Sequence, residues 1–489
     1  MAAFDALSDI LRERYLLGST ASTIGWDQET YLPPAAVDHR AAQLSYLSGK
    51  IHELGTNDHF RKALEAAESE SLPEQAANLR EIRFQFDRAT CLPQKLVEES
   101  SKVSSLGKAA WAKAREDNDF ASFAPHLEKL LAIAREKAEA WGYEDEPYTA
   151  LLSGYERGAT TTEVATIFDE LRPQVATIAA EAVERSKSVP ADLLLGPAPI
   201  GDQVTLNREI AESIGFDFDS GRIDTTTHPF CTTLGPRDVR LTTRYDENDF
   251  ASSLFGVLHE TGHGLYEQGL PSDEAHLPSG ESVSLGIHES QSRLWENHVG
   301  RSRPFWEKWL PRAQELFPHL RQLDLDTFLA AVNRADYTFV RVEADEATYD
   351  LHIILRFIIE RRLLNGDLAV TDVPGAWNEL FQELFGMTPP SDSLGCLQDI
   401  HWSMGGLGYF PTYTLGNLNA AQIFAAAMKK SEIKQAFEKA ETRPLLTFLQ
   451  QEVHAKGSSL LPQVLLREAT NEAPSASSYV AYLKGKYLE

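Results

Sequence analysis

Two histidines four residues apart with a glutamate beside the first, His259, Glu260 and His263, carry the sharpest chemical signal in this chain. On a helix, positions i and i+4 share a face, so the two imidazoles converge on one metal ion. Glu260 projects from the adjoining face, where it can take a proton from the water that attacks a substrate carbonyl. The segment from Asp249 to Gln268 has helical apolar spacing, with Asp246 or Asn248 available as its N-cap. A hydrolytic site also needs a third protein ligand and an open position, and zinc hydrolases of this kind use two histidines and a carboxylate. Glu289 lies 26 residues after His263. That leaves room for the first helix to end near Gly269, a loop through Pro271 and Pro278, and a second helix to return. His276 in that loop and His288 beside Glu289 are rival ligands. The spacing that would put a third histidine close behind the motif is absent, with Gly269 and Pro271 there instead. The expected ligands are His259, His263 and Glu289.

The elements that must hold these residues read as amphipathic helix almost throughout. Leu7, Ile10, Leu11 and the Tyr15, Leu16, Leu17 cluster recur at three- to four-residue spacing, as do Phe123, Leu127, Leu130, Leu131 and Ile133. Alternating runs are scarce; the segment from Asp238 to Tyr245 predicts one strand, paired as a small hairpin with Ile223 to Thr227. Pro33, Pro34, the Gly196 to Pro199 stretch and the Pro389, Pro390 pair punctuate helical blocks without forming a flexible linker. The expected fold is all-α with a token sheet, a small β-hairpin or at most three strands, in one catalytic unit spanning residues 1–489.

Composition narrows the function. Of 489 residues, 43% are hydrophobic and 24% charged, an ordinary globular mix. The 46 Lys and Arg against 72 Asp and Glu leave a net charge of -26, which argues against nucleic-acid backbones and anionic membrane surfaces. Cys91, Cys231 and Cys396 cannot build a disulfide framework, and none forms a CxxC pair. The first residues lack an uninterrupted apolar core of signal-peptide length, so a cytoplasmic protein is expected.

Five motifs in order extend the picture: His228-Pro-Phe230, Asp238-Val-Arg-Leu-Thr242, His259-Glu-Thr-Gly-His263, His288-Glu-Ser-Gln291 and Gly395-Cys-Leu-Gln-Asp-Ile-His-Trp402. A sixth, Val340-Arg-Val-Glu-Ala-Asp345, has Val where Ile is usual. Together they resemble the carboxypeptidase Taq family of metallocarboxypeptidases. The resemblance extends to Trp26-Asp-Gln-Glu-Thr-Tyr-Leu-Pro-Pro34 and Tyr409-Phe-Pro-Thr-Tyr-Thr-Leu-Gly416, and so covers essentially the whole chain. It departs at Thr149 and Ser153, where aspartates are expected. The resemblance implies an all-α, two-lobed helical shell around a deep active-site cleft, a homodimer, and a site holding Zn2+ or Co2+.

A carboxypeptidase must recognise a free C-terminal carboxylate, which the planar fork of arginine matches better than lysine. Candidates are Arg240, Arg341 and Arg356; the family motifs favour Arg341, then Arg240. Val340 to Glu360 reads as one long helix, on which Arg341 and Arg356 lie near one face. Each arginine has an alternative as a salt bridge to a neighbour such as Glu343, Asp345 or Glu360. The glycine-rich Gly405 to Tyr409 loop can approach a substrate backbone closely. A phenol there can donate to a tetrahedral oxyanion, and the resemblance points to Tyr409, with Tyr413 next. His228 and His401, in family motifs, are candidates to bind substrate, or equally structural residues. Asp238 and Asp399 are possible supporting partners or caps.

The reading is therefore a zinc exopeptidase, with Co2+ as an alternative metal. It releases single C-terminal residues from peptides, with Glu260 as general base. A zinc endopeptidase would need no arginine clamp, and an aminopeptidase would need acidic residues for the free amine. A helical protein with a structural metal would have no use for Glu260 beside its ligands, and would close its site with a fourth one.

Overall fold

The computed structural model describes residues 2–489. Helices dominate and the only sheet among the described residues has three strands, β1 (Gly221–Thr225), β2 (Cys231–Gly235) and β3 (Asp238–Thr243), in the order β1-β3-β2. The expected all-α fold with a small sheet is the fold observed. The sheet's wiring differs from the expected hairpin. β1 runs parallel to β3, with Ile223 opposite Leu241, while β2 pairs antiparallel with β3, with Thr232 opposite Arg240. The tight turn through Pro236 and Arg237, the latter at φ 65, makes β2 and β3 the hairpin. β2 escapes a periodicity reading because Cys-Thr-Thr-Leu-Gly has no apolar alternation.

The chain divides into two compact units. The first comprises residues 2–89, 191–332 and 419–473. Its core is built around the Phe250–Gly269 helix, whose Phe250, Leu254, Val257, Leu258 and Leu265 are buried with Val239 and Leu241 of β3 and with Trp295, Trp306 and Phe317. Those spacings of three, four and seven residues put one apolar stripe on the sheet and its neighbours. A satellite cluster joins Leu7 and Leu11 of the Ala2–Thr30 helix to Phe60, Leu64, Ile82 and Phe86.

The second unit comprises residues 90–190, 333–418 and 474–489. Phe123, Leu127, Leu130, Leu131 and Ile133 line the buried face of the Phe120–Trp141 helix, as their spacing predicts. Its central element is the Tyr349–Asn365 helix, buried nearly all round although it carries Asp350, Arg356 and Glu360. A buried charge needs partners, and each has them. Asp350 accepts from Thr414, Asn417 and Tyr479. Glu360 accepts from the Tyr148 hydroxyl at 2.6 Å, Trp402 Nε1 at 2.8 Å and the Gly408 amide at 3.1 Å. The departure at Thr149 is absorbed locally: its hydroxyl meets Thr161 Oγ1 at 2.7 Å.

Candidate metal centre

The Phe250–Gly269 helix is capped by Asp249, whose carboxylate accepts from the Ala251 and Ser252 amides at 3.0 and 3.1 Å. Neither Asp246 nor Asn248 caps it, because Asp246 instead accepts from the Asn248 amide. One turn separates His259 from His263, and their ring centroids lie 4.8 Å apart. The Leu285–Arg293 helix, capped by Ser284, returns alongside. Gly262 allows that approach. A Cβ there would meet Gln291 O at 2.5 Å and Ser292 Cα at 2.6 Å, so only glycine lets the two helices pack this closely.

The close packing brings Glu289 to the histidine pair. Its Oε2 lies 3.8 Å from His259 Nε2 and 3.6 Å from His263 Nε2. These three ligand atoms fall within 4.8 Å of one another, the one such cluster among the described residues. Of the rival ligands, His276 bonds Ser8 Oγ at 2.8 Å, and His288 turns its Nδ1 to His263 Nδ1 at 2.7 Å.

The surroundings suit a divalent cation. His259 Nδ1 meets Glu296 Oε2 at 3.0 Å, and His263 Nδ1 meets the His288 carbonyl at 3.1 Å. Both Nδ1 atoms thus have acceptors, which leaves both Nε2 lone pairs for Glu289's side, as metal ligation requires. Glu296 stands on a π-helical turn, Leu294–Val299, that directly follows the Leu285–Arg293 helix. Arg293 and Arg301 also reach Glu296, at 3.2 and 3.5 Å, and Arg293 Nε holds Glu289 Oε1 at 2.7 Å.

Burial pulls the His259 pKa down, but Glu289, Glu296 and Glu260 outweigh it and raise it to about 8. Burial raises Glu296, yet Arg293 and His259 hold it well below the carboxylate range. Burial, opposed by His259 and aided by Glu289, pushes Glu260 up to about 7. Around His259 the carboxylates Glu260, Glu289 and Glu296 outweigh Arg293, a local excess of negative charge that suits a divalent ion, whereas burial, His288 and His259 push the His263 pKa well down.

The other candidates divide between the units. His228 is exposed in a bend after β1. Arg240 on β3 forms a two-bonded pair with Asp238 at 2.9 and 3.0 Å and lies 4.2 Å from the centre of the Trp26 ring. Both belong to the first unit, as does the metal cluster.

Arg341, His401, Tyr409 and Tyr413 belong to the second. Arg341 is not on the long helix its pattern predicts: it opens a single 3-10 turn, Arg341–Glu343, and the helix begins at Tyr349. Ala344 goes extended, and Asp345 accepts from the Ala347 and Thr348 amides in the break. Nor are its partners Glu343, Asp345 or Glu360. Nε and Nη2 donate to Asp399 Oδ1 at 3.1 and 2.8 Å, and Nη1 donates to the Tyr349 hydroxyl at 2.9 Å. Arg356 donates to Asp399 Oδ2 at 2.7 Å and to Gln398 Oε1 at 2.7 Å.

His401 stacks near Tyr409 and Phe410, with centroids 5.1 and 4.6 Å away, and its Nδ1 makes no hydrogen bond among the described residues. Burial holds its pKa down at about 4. Tyr409 and Tyr413 pack edge to face, and Tyr413 lies 5.0 Å from the Arg341 guanidinium. Gly408, at φ 84, turns the loop where a Cβ would meet Leu151 and Leu152.

Glu296, Gln398 and Tyr349 escaped the sequence reading. Gln398 lies inside the Gly395 to Trp402 motif. Glu296, seven residues past Glu289, shares its face on an ordinary helix, and that spacing was the available signal.

A family model described as carboxypeptidase Taq (M32) metallopeptidase matches residues 6–487. Thermostable carboxypeptidase 1 of Thermus thermophilus is 40% identical over 501 residues, covering 99% of this chain and 98% of its own. Carboxypeptidase 1 of Bacillus subtilis is 33% identical over 484 residues, covering 98% and 97%. Among solved structures, the M32 carboxypeptidase of Deinococcus radiodurans R1 superposes with a TM-score of 0.97 at 37% identity, covering 100% of this chain and 99% of that one. The carboxypeptidase of Pyrococcus furiosus does so with a TM-score of 0.96 at 35% identity, covering 100% and 99%.

Proposed function

Since this chain belongs to the carboxypeptidase Taq (M32) metallopeptidase family, we propose that it releases single residues from peptide C-termini at the His259, His263 and Glu289 cluster. It is a peptide hydrolase, a carboxypeptidase, and its family implies a divalent metal. Two imidazoles and one carboxylate suit Zn2+, with Co2+ as a substitute. When bound, the ion supplies Lewis acidity toward the scissile carbonyl.

The chain's own residues do the rest. Glu260 takes the proton of the attacking water and returns it to the leaving amine. Glu289, fixed by Arg293, and His259, fixed by Glu296, hold their ligand atoms in place. Tyr409 donates to the oxyanion.

We assign the substrate carboxylate to Arg341. The supporting observation is charge: Arg341 and Arg356 share the one carboxylate of Asp399, a surplus of positive charge that favours an anionic ligand. Three of the five Arg341 N–H donors are engaged among the described residues, which leaves one on each of Nη1 and Nη2. Arg240, by contrast, is neutralised one to one by Asp238. His228, His401 and Tyr413 are assigned to substrate binding.

The observation that carries the catalytic assignment is the buried Glu260 beside three ligand atoms within 4.8 Å. A catalytic unit spanning residues 1–489, a homodimer and a cytoplasmic location complete the reading. No helix among the described residues is long and apolar enough to cross a membrane. The test is hydrolysis of one peptide with a free C-terminus and of its amidated twin, each with and without chelator. Cleavage of the free peptide alone, abolished by chelator, is expected; equal cleavage of both would identify an endopeptidase.

A further inference from the structure

His263 offers Nε2 to Glu289's side at 3.6 Å, and its other ring nitrogen begins a chain of hydrogen bonds leading away. Nδ1 lies 2.7 Å from His288 Nδ1 and 3.1 Å from the His288 carbonyl. His288 Nε2 lies 2.8 Å from Glu267 Oε1. The Thr233 hydroxyl of β2 donates to Glu267 Oε2 at 2.6 Å. Glu267 is one turn beyond His263 on the same helix, so the imidazole of His288 fills the space between them.

Counting hydrogens fixes the direction of the chain. A ligating Nε2 needs its lone pair, so His263 carries its hydrogen on Nδ1. The nitrogen facing it at 2.7 Å, His288 Nδ1, must then be an acceptor, since two N–H groups cannot face each other at that distance. The proton of neutral His288 therefore sits on Nε2 and is donated to Glu267. The hydrogens on His263 Nδ1 and His288 Nε2 both point away from the ligand nitrogen and toward Glu267, whose other oxygen accepts from Thr233.

His259 meets a carboxylate directly, through Glu296. His263 meets one only through a second imidazole. That imidazole is the immediate neighbour of Glu289, so one short helix delivers both a ligand and the group that orients another ligand.

We propose that His288 and Glu267 act as a positioning pair for the metal, fixing the tautomer and ring of His263 and strengthening its donor nitrogen. This rests on the ligand set proposed above.

The test uses the full chain, with Zn2+ affinity read by chelator competition and the visible absorption spectrum of the Co2+-loaded protein. His263→Ala is the control; retained Zn2+ affinity there would overturn the ligand set itself. With that control passed, His288→Leu, which removes the acceptor, should weaken Zn2+ binding by roughly 10- to 100-fold and alter the Co2+ spectrum. His288→Asn, whose carbonyl oxygen can stand where Nδ1 stands, should recover most of that loss. Glu267→Gln keeps an acceptor without the charge and should weaken Zn2+ binding by about 10-fold, the lower end of that range. Wild-type affinity in His288→Leu, or no recovery in His288→Asn, overturns the proposal. If His288→Leu fails to fold, Glu267→Gln decides alone, and wild-type affinity with an unchanged Co2+ spectrum overturns it.

Discussion

Arg341 and Arg356 converge on a single carboxylate: Arg341 Nη2 lies 2.8 Å from Asp399 Oδ1, and Arg356 Nη2 lies 2.5 Å from Asp399 Oδ2. Both guanidiniums are buried, as is most of Asp399. The two cations therefore stand against one fixed anion, the surplus of charge on which the proposed binding of a substrate carboxylate rests.

Arg341→Ala should lower kcat/KM on a free-acid peptide by roughly 30- to 1000-fold, since a desolvated bidentate contact contributes about 2 to 4 kcal/mol. The amidated peptide should lose much less, and metal content should hold. Arg341→Lys should recover only part of the loss, because an ammonium cannot supply two parallel donors. Steady-state kinetics on the peptide pair checks this; equal losses on both would transfer the clamp to Arg240.

Asp399→Asn leaves two buried arginines without a counter-charge. Removing one partner of a buried ion pair costs about 3 to 5 kcal/mol, so a large drop in denaturant midpoint is expected. Burial raises the Asp399 pKa, but Arg356, Arg341 and His401 hold it well below the usual carboxylate range. Its stabilisation is therefore present above the unfolded carboxylate pKa and is lost only as pH falls further, through the folded value.

Glu360 gives the opposite slope. Burial raises its pKa to about 7, against the bonds from Tyr148, Trp402 and Gly408. Between the unfolded value and about 7 the folded state holds a proton that the unfolded state has released. Stability is thus full below the unfolded pKa and falls by about 1.4 kcal/mol per pH unit until the folded value is passed. Denaturation from pH 5 to pH 8 should show that decline, and Glu360→Gln should flatten it.

Gly262→Ala should push the Leu285–Arg293 helix away from the histidine pair, because its Cβ would lie 2.5 Å from Gln291 O. Overpacking of this kind costs about 1 to 3 kcal/mol. Weaker Zn2+ binding should accompany the loss, measured by calorimetric titration alongside thermal melts.

The parts of the site that were legible in the sequence are those set by regular helix geometry. His259 and His263 share a face because 3.6 residues make a turn, and the return to Glu289 needed only a loop of sufficient length. Glu296 carried only its spacing of seven residues from Glu289, which puts the two on one face but does not say that its carboxylate meets His259 Nδ1. Arg341 was misplaced because a local side-chain bond wins over the helical pattern. Val340 to Glu360 keeps helical spacing on paper, yet Asp345 offers its carboxylate to the Ala347 and Thr348 amides and competes with helix there. The parallel pairing of β1 with β3 was equally hidden, since strand alternation says nothing about direction.

The most direct test of the central claim is Glu260→Gln, assayed together for bound zinc and for turnover of a free-acid peptide. With Glu260 as the base and His259, His263 and Glu289 as the ligands, the variant should keep wild-type zinc content and lose turnover by roughly 100-fold or more. Near-wild-type turnover would contradict the assignment of the base. Loss of zinc along with activity would contradict the ligand set, because Glu260 would then be holding the metal rather than activating the water.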